Sequence, residues 1–216
     1  MRHLSVYGDS IAAGYGAAPG RGFVPVLARL LAARRRQTQL YLNFGVAGMT
    51  SYQLASALVY NDAWNGGLMR CQSVAVLIGG DDIIDNVPRL LRGGPRGLKE
   101  TARASAAAYH ATLHEIRRGT RAPLAVGTIY NPYPGTPLAE EVISAYNELV
   151  ILPAAASAGA AVAPIHAAFS GQQALLIDGF SNGIAGRPGR GGVRFPVHPN
   201  ARGHAVIAET FAPLVT

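Results

Sequence analysis

Leu4-Ser5-Val6-Tyr7-Gly8-Asp9-Ser10-Ile11-Ala12-Ala13-Gly14 passes from a short apolar run, through a tight turn, into small residues able to start a helix. Such a run read alone is a buried strand that opens into a loop. The same change of period recurs down the chain. Strands are predicted at residues 4–7, 40–44, 73–78, 124–130 and 160–165. Helices are predicted at 23–36, 51–61, 98–118, 137–158 and 200–211, with Ser51 as an N-cap and Gly119 as a stop. Strand-then-helix repeated about five times predicts an α/β chain: a parallel sheet with helices on both faces. The strands are apolar throughout, which fits a sheet buried on both sides. A chain of 216 residues is expected to form one domain, 1–216.

In an open parallel sheet, ligands bind beyond the carboxyl ends of the strands. The segments just past each predicted strand are Gly8-Asp9-Ser10, residues 45–50, 79–82 and 131–134, and His166 onward. They hold many of the chain's glycines and polar residues. Two stretches break the alternation. Residues 85–97 (DNVPRLLRGGPRG) carry turn signals and are predicted to be a loop. Residues 178–197 are glycine-rich and basic, and are expected to form a mobile loop beside His198.

The composition narrows the classes. It is 49% hydrophobic and 14% charged, which excludes a disordered chain. Cys71 is the only cysteine, so there is no disulfide framework and no cysteine-built zinc site. Net charge is +7, and Lys99 is the only lysine among 19 basic residues. The densest run, Arg34-Arg35-Arg36, ends a predicted helix, where cations complement the helix dipole. The single RPGRGG copy at 187–192 reads as a loop, not as an RNA-binding tract. No apolar run is long enough to span a bilayer, and the first residues do not form a secretory signal, so a cytoplasmic location is expected.

A serine between strand and helix lies at the mouth of the sheet, near backbone N–H groups that favour developing negative charge. Its hydroxyl needs an adjacent base. His198, in a loop directly before the last predicted helix, is the natural candidate. His110 and His114, four apart, read as an exposed helix face. Cys71 reads as inert, Tyr60 and Trp64 as packing at the core or its rim, and His204 as a packing or capping residue.

Four segments follow one another in order: Tyr7-Gly8-Asp9-Ser10-Ile11; Asn43-Phe44-Gly45-Val46-Ala47-Gly48-Met49-Thr50; Ile78-Gly79-Gly80-Asp81-Asp82-Ile83; and His198-Pro199-Asn200-Ala201-Arg202-Gly203-His204. Together they resemble the SGNH (GDSL-type) hydrolase family over nearly the whole chain. The resemblance implies a flavodoxin-like three-layer α/β/α sandwich with a five-stranded parallel sheet. It implies a serine hydrolase of carboxylic esters, of esterase, lipase or deacetylase type, working through an acyl-enzyme. Ser10 would be the nucleophile and His198 the base. The N–H groups of Ser10 and Gly48 would form the oxyanion hole, with Asp9 fixing the turn. The expected partner is a small-molecule ester, with no cofactor, no nucleic acid and no membrane span; no oligomeric state is specified.

Two positions depart from the family pattern. Asp81 stands where the family has an asparagine whose amide completes the oxyanion hole, and a carboxylate there donates only when protonated. Asn131 offers a substitute amide. Phe195 stands three residues before His198, where the family usually has aspartate. Either its backbone carbonyl orients the imidazole, making a Ser–His dyad, or Asp178 is that aspartate displaced by the intervening loop. The rival readings are a non-catalytic binding protein on the same fold and a metal-dependent hydrolase using Asp9, Asp81, Asp82 and His198.

Overall fold

The computed structural model of the chain describes residues 3–187, 189–192 and 195–216, with side chains at 90, 91, 93–96, 98 and 99 left out. The parts of the predicted 178–197 loop at 188, 193 and 194 lie outside the described residues. β1 is His3–Gly8, followed by α1 (Ser10–Ala13), α2 (Phe23–Arg35), β2 (Leu40–Gly45), α3 (Ser51–Tyr60) and α4 (Asp62–Gly66). Next come β3 (Cys71–Leu77), α5 (Gly80–Gly119), β4 (Leu124–Gly127), α6 (Pro137–Tyr146), a π-helical turn at Asn147–Ile151 and α7 (Leu152–Ser157). β5 (Ala161–Ala163), α8 (Ile165–Phe169), α9 (Gln173–Leu176) and α10 (Ala201–Phe211) complete the chain.

The five strands form one sheet in the order β2-β1-β3-β4-β5, with every pair parallel. This is the flavodoxin-like order, whose direction reverses between β1 and β3. Successive strand residues point to opposite faces. Leu4 and Val6 of β1, with Ala75 and Leu77 of β3, pack against Phe23, Leu27 and Leu31 of α2 and Ile207 and Phe211 of α10. Tyr7, Val74, Val76 and Val126 face the other way, onto Leu54 and Leu58 of α3, Tyr109, Leu113 and Ile116 of α5, and Ala154 of α7. The inner strands β1, β3 and β4 are therefore buried on both sides, and a helix layer covers each face. β2 is the edge, and its Leu40, Tyr41 and Leu42 are exposed.

Three of the departures from expectation have a clear physical cause. Residues 85–97 are not a loop but the middle of α5, which runs unbroken from Gly80 to Gly119. Both ends of that helix are held: Asp82 in its first turn bonds Ser51, and Tyr109, Leu113 and Ile116 are buried. Tertiary anchoring overrides the local Pro and Gly signals. β4 stops at Gly127, because the Ile129 N–H turns to the Asn147 side-chain oxygen at 2.9 Å and its carbonyl to the Asn147 amide. The single helix predicted over 137–158 contains the π-turn just before Pro153, a residue with no N–H to give to an α-helical ladder.

Gly8 ends β1 where the backbones of neighbouring strands nearly touch: a Cβ there would lie 2.1 Å from the Leu77 carbonyl oxygen. Gly8→Ala is therefore expected to destabilise the chain by about 1–3 kcal/mol or more, since overpacked sites relax poorly. Urea unfolding measures this, and an unchanged midpoint would show that the contact yields without cost.

Candidate active site

The loops that follow β1 and β3 leave the sheet side by side, and the last loop of the chain folds over them. Asp9 is the N-cap of α1; its buried carboxylate accepts the Ile11 N–H at 2.9 Å, which sets the turn that presents Ser10. The Ser10 hydroxyl and the His198 Nε2 are 3.0 Å apart, across 188 positions of sequence. His198 is half-buried, and that burial lowers its pKa below the usual imidazole value against the opposing field of Asp178.

Hydrogen bonds to its backbone anchor the loop that carries His198. The Tyr130 hydroxyl donates to the Val197 carbonyl at 2.5 Å, and the Asp178 N–H donates to the His198 carbonyl at 2.9 Å. The Asn200 N–H donates to the Leu176 carbonyl at 2.8 Å, and Ile177 and Pro199 form an antiparallel bridge. Asp178 thus adjoins His198 through its backbone, and its charge raises the imidazole pKa against the effect of burial. The Phe195 carbonyl accepts the Val197 N–H at 2.8 Å and so shapes the turn before the histidine. Gly48 lies exposed in the loop between β2 and α3.

The acidic residues divide by partner. Asp82 is buried and satisfied, accepting the Ser51 N–H at 2.9 Å and the Ser51 hydroxyl at 2.5 Å. Asp81 is half-buried at the start of α5; burial first, then the charges of Asp85 and Asp82, push its pKa up to about 6. Burial also pushes Asp9 up to about 7, with Asp81 and Asp82 adding repulsion. Asp9, Asp81, Asp82 and His198 do not gather into a metal cage. Among the described residues, no group of three or more histidine, cysteine or carboxylate side chains is placed to hold a metal. The Asn131 side chain is buried and held: its nitrogen donates to Glu140 at 2.8 Å and its oxygen accepts the Tyr133 N–H.

The sequence profile of the GDSL-like Lipase/Acylhydrolase family matches residues 6–206. The chain belongs to that family. Solved structures agree on the fold. A lipase, Lip_vut3, from a goat rumen metagenome superposes with a TM-score of 0.78 at 18% identity, over 99% of this chain and 97% of that one. Axe2, an acetylxylan esterase from Geobacillus stearothermophilus, superposes with a TM-score of 0.69 at 19% identity, over 99% and 94%. A member of the lipolytic G-D-S-L family from Veillonella parvula gives 0.65 at 17%, over 99% and 98%. No curated protein matches the sequence.

Within this GDSL-family chain, several sequence expectations meet their surroundings. His110 and His114 are exposed on α5. Trp64 packs against Tyr7 and Phe44, whereas Tyr60 is exposed. Burial raises the Cys71 thiol pKa, and the thiol bonds Thr120. Arg35 ties the end of α2 to Gln72 and to the Val215 carbonyl. Among the described residues, no helix is long and apolar enough to cross a membrane. Two residues at the site carry no sequence signal for their place: Tyr130, and Tyr15, whose ring lies against the His198 imidazole; His166, past β5, pairs with Glu140 at 3.1 Å.

Asp9 yields a test by linkage. Its folded pKa lies above the unfolded carboxylate value, so its contribution to stability is full at low pH and is lost as pH rises through about 7. Asp9→Asn keeps an oxygen for the Ile11 N–H and removes the charge. The gap in Tm between variant and wild type should widen by several degrees from pH 5 to pH 8, at about 2–4 °C per kcal/mol for a chain of this size. A gap that does not change with pH would mean that Asp9 titrates as an ordinary carboxylate.

Proposed function

We propose that this chain is a serine esterase that cleaves carboxylic esters through an acyl-enzyme, with Ser10 as nucleophile and His198 as base. The observation that carries the reading is the 3.0 Å contact between the Ser10 hydroxyl and His198 Nε2. A base must be unprotonated to work, and burial favours the neutral imidazole at pH 7. The Ser10 hydroxyl then donates to Nε2. As Oγ attacks the ester carbonyl, Nε2 takes the proton and the carbonyl π electrons move onto oxygen. The Ser10 and Gly48 N–H groups receive that oxyanion. The tetrahedral adduct collapses, the C–O bond to the alcohol breaks, and the imidazolium returns its proton to the leaving oxygen. Water repeats the sequence on the acyl-enzyme, with His198 again as base, releasing the acid and restoring Ser10. Asp178 favours the imidazolium that forms, since its charge raises the His198 pKa. In this reading Asp178 supports the imidazolium through its charge, and the Phe195 carbonyl shapes the turn before the ring.

Asp81 acts as a pH-dependent third donor in this scheme. Protonated, it offers an O–H to the oxyanion; ionised, it opposes it. Wild-type kcat/KM should rise as His198 loses its proton and fall as Asp81 ionises through about 6, giving a bell on the acid side of neutrality. Asp81→Asn removes the alkaline fall and raises turnover at pH 8, by up to roughly 10²–10³ for one oxyanion donor. A sharp loss of activity in that variant at every pH would assign Asp81 another task.

An acetylxylan esterase and a lipase are both among the structural relatives, so acyl length is read from a p-nitrophenyl ester panel running from acetate to long chains. Ser10→Ala should lower hydrolysis of every cleaved ester by roughly 10⁴ or more, and EDTA should leave wild-type rates unchanged. Persistent hydrolysis by Ser10→Ala, or its loss with EDTA, would overturn the serine mechanism.

A further inference from the structure

α1 ends at Gly14, and a loop carries the chain back to α2 at Phe23. This loop lies against the histidine of the site. The Tyr15 ring is 5.5 Å from the His198 ring, centroid to centroid, and tilted by 39°. At Gly16 (φ +88°) a Cβ would fall 2.2 Å from the Pro199 carbonyl oxygen and 3.0 Å from the His198 Cβ, so the loop backbone touches the His198–Pro199 segment directly.

One buried side chain fastens both ends of that loop. His204, on α10 and fully buried, places Nε2 2.8 Å from the Tyr15 carbonyl and Nδ1 3.1 Å from the Phe23 nitrogen. The partners settle its protonation. A backbone N–H can only donate, so Nδ1 is unprotonated; a carbonyl can only accept, so Nε2 carries the hydrogen. Gly22, the N-cap of α2, has no side chain to give, and His204 accepts the Phe23 N–H in its place. Its ring also stacks on Phe23 at 6.4 Å. His204 stands six residues after His198, so α10 and the loop before it carry both the base and the clamp that locates the ring beside the base.

We propose that His204 is a positioning residue: by holding the Tyr15 carbonyl it fixes the Tyr15 ring and the Gly16 backbone against His198, and so keeps the imidazole aligned on Ser10. This rests on the serine esterase reading for its kinetic consequences only. The carboxylate position of the family is Phe195 here, and the clamp constrains the imidazole from its side.

Two substitutions separate positioning from capping. His204→Gln places an amide nitrogen near the site of Nε2, keeping the Tyr15 bond and losing the Phe23 acceptor. His204→Asn places an oxygen near the site of Nδ1, keeping the Phe23 bond and losing Tyr15. With the ester cleaved fastest by wild type, His204→Asn and Tyr15→Ala should each lose about tenfold or more in kcat, against the ~10² that a 1 Å misplacement can cost. KM should stay within about twofold, while His204→Gln and Tyr15→Phe retain most of kcat. NMR titration of the His198 ring supplies a readout independent of turnover. Uncovering it in Tyr15→Ala and His204→Asn should move its midpoint up toward 6.5, and His204→Gln should not. If His204→Asn keeps kcat and His204→Gln loses it, His204 is a helix cap only and the proposal falls. The same holds if Tyr15→Ala leaves both kcat and the titration as in wild type. Should no ester be cleaved at all, the esterase reading fails, and the titrations alone decide the clamp.

Discussion

The pairing of β1 with β3 is the constraint on which the site depends. Gly8 and Leu77 end these two strands in register, and the Asp9 N–H still reaches the Leu77 carbonyl at 3.4 Å. At this point the strand order reverses, so the chain leaves β1 toward one side and β3 toward the other, and the gap between them stays open. Asp9 and Ser10 stand on one lip, and Asp81 and Asp82 on the other. Their spacing is inherited from two backbones held so close that the residue between them has no side chain. Loops alone would not hold it, because the ends of α1 and the start of α5 are set by the strands that feed them.

The same geometry segregates charge. In a parallel α/β sheet the helices return against the strands, so helix ends rich in arginine lie at the opposite end from the site. Arg34 and Arg35 close α2, and Arg117 and Arg118 close α5. The carboxyl groups of Asp9, Asp81 and Asp82 gather at the mouth without a basic partner among the described ion pairs. Burial, and then the repulsion of neighbouring carboxylates, raises their pKa values; for Asp9 and Asp82 the backbone donors and Ser51 offset part of that rise. A chain of net charge +7 therefore presents a mouth built around protonatable acids.

Most of the fold was legible in the sequence. Burial on both faces makes parallel strands continuous in apolar character, and 73–78 read as a strand for that reason. Ser10 and His198 could be picked out because each sits at a junction that only a few architectures bring together. What could not be read was decided at a distance. The 85–97 stretch has local turn chemistry, and nothing within it reveals that Ser51 and the core beneath Tyr109 hold both ends of a helix. Asn131 gives no local sign that Glu140, nine residues on, holds its amide. Tyr130 ends what reads as a strand, and its bond to the Val197 carbonyl spans 67 positions. Residue type and spacing carry no record of such partners.

Placing a phenylalanine three residues before the histidine is consistent with this division of labour. A carboxylate beside a catalytic imidazole does two things: it orients the ring and it stabilises the positive charge formed on it. In the serine-esterase reading proposed for this chain, the two tasks fall to separate groups. Tyr130 at Val197, the Asp178 N–H at His198 and the Leu176 carbonyl at Asn200 fix the backbone on both sides of the histidine, while the Asp178 charge acts on the imidazolium through space. Bonds made to the backbone on both sides of the histidine hold the segment in place without a carboxylate at position 195. The position three before His198 is thereby released from carrying a carboxylate, and its carbonyl, bonded to the Val197 N–H, still contributes to the turn.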